Sequence, residues 1–158
     1  VVFSRVFKNS RAKQLIGALG VAILGGLVAS SILYFGFDAL EANFWPTTGV
    51  IILGIAAIST TVLGLNSLLG FAGLGLGAVT MLFISNPLSG MATGMHWLPS
   101  PWSAIGQYLP LGAAGTALRS SAFFDGAGMT NSVIVLLCWI IAGITLAAAG
   151  AWRARRTG

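Results

Sequence analysis

Residues that could perform chemistry are scarce in this 158-residue chain, and they do not cluster along the sequence. Asp38, Glu41 and Asp125 are too few and too widely spaced to suggest a pair of carboxylates for general acid–base catalysis. His96 has no second histidine and no nearby cysteine, so it lacks the partners of a zinc site. Cys138 is the single cysteine and lies in an apolar run, which excludes an internal disulfide. We therefore expect no enzymatic activity, no cofactor and no bound metal.

The composition indicates a protein that lies in a membrane. Charged residues make up 7% of the chain and hydrophobic residues 56%, whereas a soluble domain carries about 25% charged residues. Lipid can face apolar side chains directly, so insertion into a bilayer accommodates this composition. The net charge of +5 comes from basic residues near the two ends, with one between them. This pattern is typical of cytoplasmic flanks beside membrane spans, and we expect no nucleic-acid partner.

Four apolar runs are long enough to cross about 30 Å of hydrocarbon as helices. They cover about residues 14–35, 47–65, 68–85 and 131–151. The first is too long for the core of a signal peptide. The second and third are divided at Asn66-Ser67, because one helix over both would overrun the bilayer nearly twofold. The predicted fold is an all-α, polytopic membrane helix bundle that forms a single transmembrane domain over 1–158.

The distribution of basic residues predicts the orientation of this bundle. Four basic residues precede the first span and three follow the last, so the positive-inside rule places both termini in the cytoplasm. We expect a multi-pass protein of the cell inner (plasma) membrane. The loop with Asp38 and Glu41 and the long segment 86–130 then lie outside. No ionisable residue lies in the middle of a span, which disfavours a proton-coupled pump.

Small residues at four-residue spacing predict where helices pack closely, because lipid supplies no hydrophobic drive between spans. Such stripes lie on the first, third and fourth spans. Chance matches are the competing interpretation, since the chain has 22 glycines. The target of each stripe is another span or another subunit. The predicted packing residues are Ala18, Ala22, Gly26, Ser30, Gly73, Gly77, Gly143 and Ala147.

The outer segment 86–130 contains four of the five prolines and is too apolar for a solvated loop. Pro101 and Pro110 suit the first turns of two short helices, predicted over 102–109 and 111–124. These helices are expected to lie in the interface or to enter the membrane as a re-entrant hairpin. Arg119 and Asp125 are the only charges there and could pair. The candidate residues for an outer gate or interface are Trp97, Trp102, Tyr108, Arg119, Phe123, Phe124 and Asp125.

The motifs of this segment resemble a known family. They are Asn86-Pro87-Leu88-Ser89-Gly90, Leu98-Pro99, Trp102, Ile105-Gly106-Gln107, Leu109-Pro110, Gly112-Ala113, Arg119-Ser120, Phe123-Phe124-Asp125-Gly126 and Trp139. They are similar to the C-terminal transmembrane part of bacterial type-2 ABC-transporter permeases, in particular phage-infection-protein-like membrane proteins. The resemblance implies that the chain matches the last four of six spans, with short outer helices before the final one. No G-x-x-x-x-G-K-[ST] loop is present in the chain, so an ATPase would be a separate protein.

The resemblance implies a membrane subunit of an exporter for a lipid-like or amphiphilic substrate, powered by that separate ATPase. An alternative of a different class is a non-transporting accessory or scaffold subunit of a larger membrane protein complex. The glycine and alanine stripes and the absence of charge within the spans suit both functions. The expected partners are the lipid bilayer and either other membrane subunits or a second copy in a homodimer.

Overall fold

Long apolar runs form helices here because a helix satisfies its own backbone hydrogen bonds within lipid. The computed structural model describes residues 11–36, 44–89, 99–124 and 126–156, and these parts contain helices and turns but no strand. The order is α1 (Arg11–Ser31, continued by a π-helical turn over Ile32–Gly36), α2 (Phe44–Leu69), α3 (Phe71–Val79, continued by the π-helical Thr80–Ser85 and by Asn86–Leu88), α4 (Trp102–Tyr108), α5 (Pro110–Phe123) and α6 (Met129–Arg156).

Four of these helical stretches are long and apolar enough to cross a membrane, which confirms the predicted all-α membrane bundle. They are Lys13–Phe35, Phe44–Leu69, Phe71–Leu88 and Met129–Ala154. The second stretch begins three residues before its predicted start, because Pro46 is tolerated in a first helical turn. It also continues past Asn66-Ser67. The break before the third stretch falls at Gly70, whose φ of 64° suits glycine, and whose N–H donates to the Asn66 carbonyl at 2.9 Å.

Helix α2 lies at the centre of the bundle and contacts α1, α3, α5 and α6. Its buried positions are mostly threonine, glycine and alanine, so neighbouring backbones come close on several sides. The core is formed by the fully buried Ala57 of α2, Ala113 of α5 and Leu136 of α6, with the partly buried Trp139 and Ile140 packed against them.

Helices α4 and α5 form a hairpin whose second helix packs along the first half of α2, which is the packing expected of a re-entrant hairpin. Ala113, near the start of α5, meets Ala57, which lies about 20 Å along α2 from Phe44 at 1.5 Å per residue. At the other end of α5, the hydroxyls of Ser121 and Thr47 are 3.0 Å apart. Helix α5 therefore runs from the level of the middle of α2 back to the side where α2 begins. We call this the hairpin side of the bundle.

Glycines allow the hairpin to close. A Cβ at Gly106 of α4 would collide with the Leu88 carbonyl, and one at Gly112 of α5 would collide with the Gly106 carbonyl. The corner between the helices is Leu109, in an extended conformation (φ −83°, ψ 147°), followed by Pro110 at the start of α5. The observed helices differ by one residue from the predicted 102–109 and 111–124.

Aromatic residues cluster on the hairpin side, where α1 ends and α2 begins. The ring of Tyr34 packs edge-to-face with that of Phe44 at 5.4 Å, and Phe44 packs in the same way with Trp45. Trp152 lies exposed near the far end of α6, on the opposite side. Aromatic side chains favour both membrane–water interfaces, so these residues indicate the depth of the bundle in the bilayer.

Candidate functional site

The small-residue stripe of the last span lies against α2 of the same chain. A Cβ added to Gly143 would be 2.5 Å from the Thr60 carbonyl carbon and 2.7 Å from the Thr61 nitrogen. Ala147 is buried one turn further along, and its carbonyl accepts a hydrogen bond from the Ser67 hydroxyl at 3.1 Å. Gly150 also packs on Ser67. Contacts between two backbones leave no room for side chains in this seam.

The other two stripes also face α2. Gly73 and Gly77 are buried, with Gly73 against the Leu65 carbonyl and Gly77 against Val62. On α1, Gly26 lies against Ile52. Ala22, Gly26 and Ser30 are buried and Ala18 is half-buried. All three stripes therefore have a partner within the chain, and the central helix receives each of them.

The predicted gate residues are distributed between the ends of α4 and α5. Trp102 and Tyr108 are 52% and 70% exposed, and they lie with Ile105 on one face of α4. Phe123 and Phe124 are exposed at the end of α5, and Arg119 is exposed one turn before it. Trp97 and Asp125 lie outside the described residues, as does the predicted Arg119–Asp125 pair.

A cleft between α4 and α6 opens close to Tyr108. Its volume is about 450 Å³, within the range of small-molecule sites. Amide and hydroxyl groups come from both helices, and three aliphatic side chains complete the surface. The lining residues are Ala104, Gln107, Tyr108, Asn131, Ser132, Ile134 and Val135. The cleft thus offers neutral hydrogen-bonding groups beside apolar surface on the hairpin side of the bundle.

Contacts with α5 and α6 fix the α4 wall of this cleft. The Thr116 hydroxyl donates to Gln107 Oε1, which ties the α4 side chain to α5. The Trp139 indole N–H donates to the Tyr108 carbonyl at 2.7 Å, which ties the end of α4 to α6. Within the described part of the chain, the buried Gln107 Nε2 has no hydrogen-bond partner. Hydrogen bonds from α5 and α6 therefore hold Gln107 and the end of α4 in place.

The chemistry of the cleft is binding through neutral groups. A phenol, a carboxamide and a hydroxyl donate and accept hydrogen bonds, but they do not supply a base or a nucleophile with an activating partner. Among residues 11–36, 44–89, 99–124 and 126–156, no group of three or more His, Cys, Asp or Glu side chains could hold a metal ion. His96 lies outside these ranges, and Cys138 is exposed on α6.

Of the cleft residues, sequence reasoning singled out Tyr108 and missed Gln107, Asn131 and Ser132 as site residues. Asn131 and Ser132 are polar residues at the start of an otherwise apolar span, which is the signal that could have identified them. No sequence pattern identifies Gln107, because it reaches the cleft only through the position of the hairpin beside α6. The chain matches no protein-family model, no curated protein sequence and no solved structure.

Proposed function

We propose that the chain is a membrane subunit of an exporter for a lipid-like or amphiphilic substrate, powered by a separate ATPase, as its resemblance to type-2 ABC-transporter permeases implies. The α4–α6 cleft is the observation that carries the proposal. An amphiphile has a polar headgroup and an apolar tail. The cleft places Gln107, Tyr108 and Asn131 next to Ile134 and Val135 on the hairpin side of the bundle. Such a lining suits an amphiphile better than a soluble polar solute.

The proposed orientation suits release of the substrate to the outside. Lys13 begins the first span and Arg153 lies near the end of the last, both on the side opposite the hairpin. The positive-inside rule assigns that side to the cytoplasm of an inner (plasma) membrane. The hairpin side, with the cleft, then faces outward. The cytoplasmic side would be the docking side for the ATPase.

A second subunit would complete the transport path. Ile134 lines the cleft and is exposed, and Ile141 is exposed two turns further along the same face of α6. A second copy, or another membrane subunit, placed along this face would give the open cleft its missing wall. This arrangement supports a transport path between two subunits.

Purification from the native membrane tests the exporter against the scaffold. The tagged chain is expected to purify with a stoichiometric ATPase. The purified complex is expected to move a headgroup-labelled phospholipid between leaflets of proteoliposomes when ATP is added. A complex that contains another enzyme but no ATPase would overturn the exporter and favour the scaffold.

The cleft itself is tested by a double variant, Tyr108→Phe with Asn131→Leu, which removes two of its polar groups. This variant is expected to keep the ATPase in the complex and to slow lipid movement. The matched control is Thr145→Leu, which removes an exposed hydroxyl of α6 that donates to the Ala142 carbonyl and lies outside the cleft. Equal lipid movement in the double variant and the control would contradict a role for the cleft.

A further inference from the structure

A second concave surface lies between α2 and α5, on the other side of the hairpin from the cleft. It is a groove of about 160 Å³ that forms where Gly54 of α2 approaches Ala114 of α5. Every lining side chain is apolar. The residues are Val50, Ile51, Gly54, Ile55, Ile58, Leu111, Ala114 and Leu118.

The lining of the groove suits a hydrocarbon chain, because every side chain along it is apolar. The α2 residues that line it, 50–58, extend over about 12 Å along the helix. The groove runs along the spans, in the direction of lipid acyl chains.

A positively charged residue follows the last groove-lining residue of α5. Arg119 directly follows Leu118 on α5, is exposed, and is about 6 Å along the helix from the last residue, Phe123. It is the only basic residue between Lys13 and Arg153. A guanidinium is stable near the headgroup layer and costly at mid-membrane depth. At that layer its donors match the oxygens of a phosphate.

We propose that the α2–α5 groove and Arg119 together form a binding site for an anionic phospholipid of the leaflet on the hairpin side. One acyl chain lies in the groove between α2 and α5, and the headgroup phosphate contacts Arg119. This site is separate from the α4–α6 cleft. The proposal concerns lipid binding alone, so it holds for an exporter and for a scaffold subunit alike.

Quenching of a local fluorophore by spin-labelled lipids tests the site. A bimane group is attached at Ala122→Cys, one turn beyond Leu118, in a Cys138→Ala background. The protein is placed in nanodiscs with phosphatidylglycerol or phosphatidylcholine that carries a nitroxide near the headgroup end of an acyl chain. At equal mole fraction, we expect about fivefold higher apparent affinity for the anionic lipid, the effect of one basic residue near a membrane surface.

Separate variants test the charge of Arg119 and the width of the groove. The preference for phosphatidylglycerol should disappear in Arg119→Gln, remain in Arg119→Lys, and remain in Lys13→Gln, which removes a charge on the opposite side of the membrane. Ile51→Phe narrows the groove and should reduce quenching by both lipids. Each variant must elute as the same single species as the parent.

Two results would overturn the proposed role of Arg119. One is equal quenching by the two lipids in the parent protein, which would show that the site does not select a negative charge. The other is a preference that survives Arg119→Gln, which would place its origin elsewhere. Unchanged quenching in Ile51→Phe would also contradict an acyl chain in the groove. None of these measurements involves ATP or transport, so a failed exporter assay leaves them unaffected.

Discussion

The seam between α2 and α6 gives the sharpest quantitative prediction, through Gly143→Ala. The added Cβ would lie 2.5 Å from the Thr60 carbonyl carbon, 2.6 Å from its oxygen and 2.7 Å from the Thr61 nitrogen. These are backbone atoms of a long helix, so no side chain can rotate away. An ordinary contact for a Cβ begins at 3.4 Å, so the two helices must separate by about 0.9 Å at this point.

The cost of this separation follows from what the seam loses. A gap of 0.5–1 Å forfeits about a quarter to a half of each dispersion contact that faces it. The Ser67–Ala147 hydrogen bond, now 3.1 Å, would stretch beyond bonding distance if it moved by the same amount. Such bonds in membranes contribute about 0.6 kcal/mol, and overpacking costs about 1–3 kcal/mol. We expect Gly143→Ala to lower the free energy of unfolding by about 2 kcal/mol, roughly a 30-fold change in the equilibrium constant.

Titration of the protein in mixed micelles with a denaturing detergent measures this difference, with unfolding followed by circular dichroism and tryptophan fluorescence. The matched control is Gly20→Ala on α1, where an added Cβ meets no atom within 4 Å. Both changes replace a helical glycine by alanine, so their effects on helix propensity are similar. The control should not lower stability, and it should raise it by at most about 1 kcal/mol, the difference in helix propensity between glycine and alanine.

If the free energies of unfolding of Gly143→Ala and Gly20→Ala lie within about 0.5 kcal/mol of each other, the backbone contact at Gly143 does not have the predicted role. Such a result would mean that α6 can move away from α2 without loss, and that the backbone contact does not hold the bundle. A loss confined to Gly143→Ala, restored on reversion, supports the seam as the main structural contact of the last span.

Two further predictions concern the hairpin and the orientation. Gly106→Ala should push α4 away from the Leu88 carbonyl, so amide exchange in 102–108 is expected to speed up about tenfold or more in nanodiscs. Gly49→Ala is the control, because an added Cβ there meets no atom within 4 Å and should leave the exchange unchanged. Equal exchange in the two variants would contradict close packing at Gly106. For the orientation, single-cysteine variants are made at Ser10, Asn43, Ser100 and Thr157. A membrane-impermeant reagent added from outside should label the cysteines at Asn43 and Ser100 and leave those at Ser10 and Thr157 unlabelled. Labelling at Ser10 or Thr157 would contradict the proposed topology.

Much of the fold could be predicted because it depends on local properties of the chain. Length and hydropathy identify the spans, since a bilayer requires about 20 apolar residues in a helix. The α4–α5 hairpin was predicted to within one residue, because Pro101 and Pro110 permit helix starts and exclude helix interiors. The turn after the second span was predicted less well from the sequence. Asn66 and Ser67 look like turn residues, but Ser67 is held in helix α2 by its contact with α6.

The depth of the hairpin and the make-up of the cleft depend on contacts between distant residues, which local patterns do not encode. The sequence does not show that Ala113 meets both Ala57 and Leu136. The spacing of small residues identified packing faces, but it left open whether each face meets another span or another subunit. That choice depends on the central position of α2, which becomes clear only when all the helices are placed.

Hydroxyl groups along α2 form hydrogen bonds in two ways, either within the helix or to neighbouring helices. Thr48 and Thr60 donate to carbonyls four residues earlier, at 2.7 Å. Each of these hydroxyls therefore has its hydrogen bond within α2 and needs no partner on a neighbouring helix. Thr47 and Ser67 bond instead to the neighbouring helices α5 and α6. Between these two bonds, α2 and α6 meet through the packing of Leu136 on Ala57 and through the backbone contact at Gly143.

The hairpin meets α2 differently. Its contact combines the buried pair Ala57 and Ala113, the close approach of Gly54 to Ala114, and the Thr47–Ser121 bond near the end of α5. A hydrogen bond of this kind contributes about 0.6 kcal/mol in a membrane, whereas overpacking costs about 1–3 kcal/mol. The seam at Gly143 therefore tolerates less added volume than the edge of the hairpin, where the groove between α2 and α5 leaves space for an acyl chain.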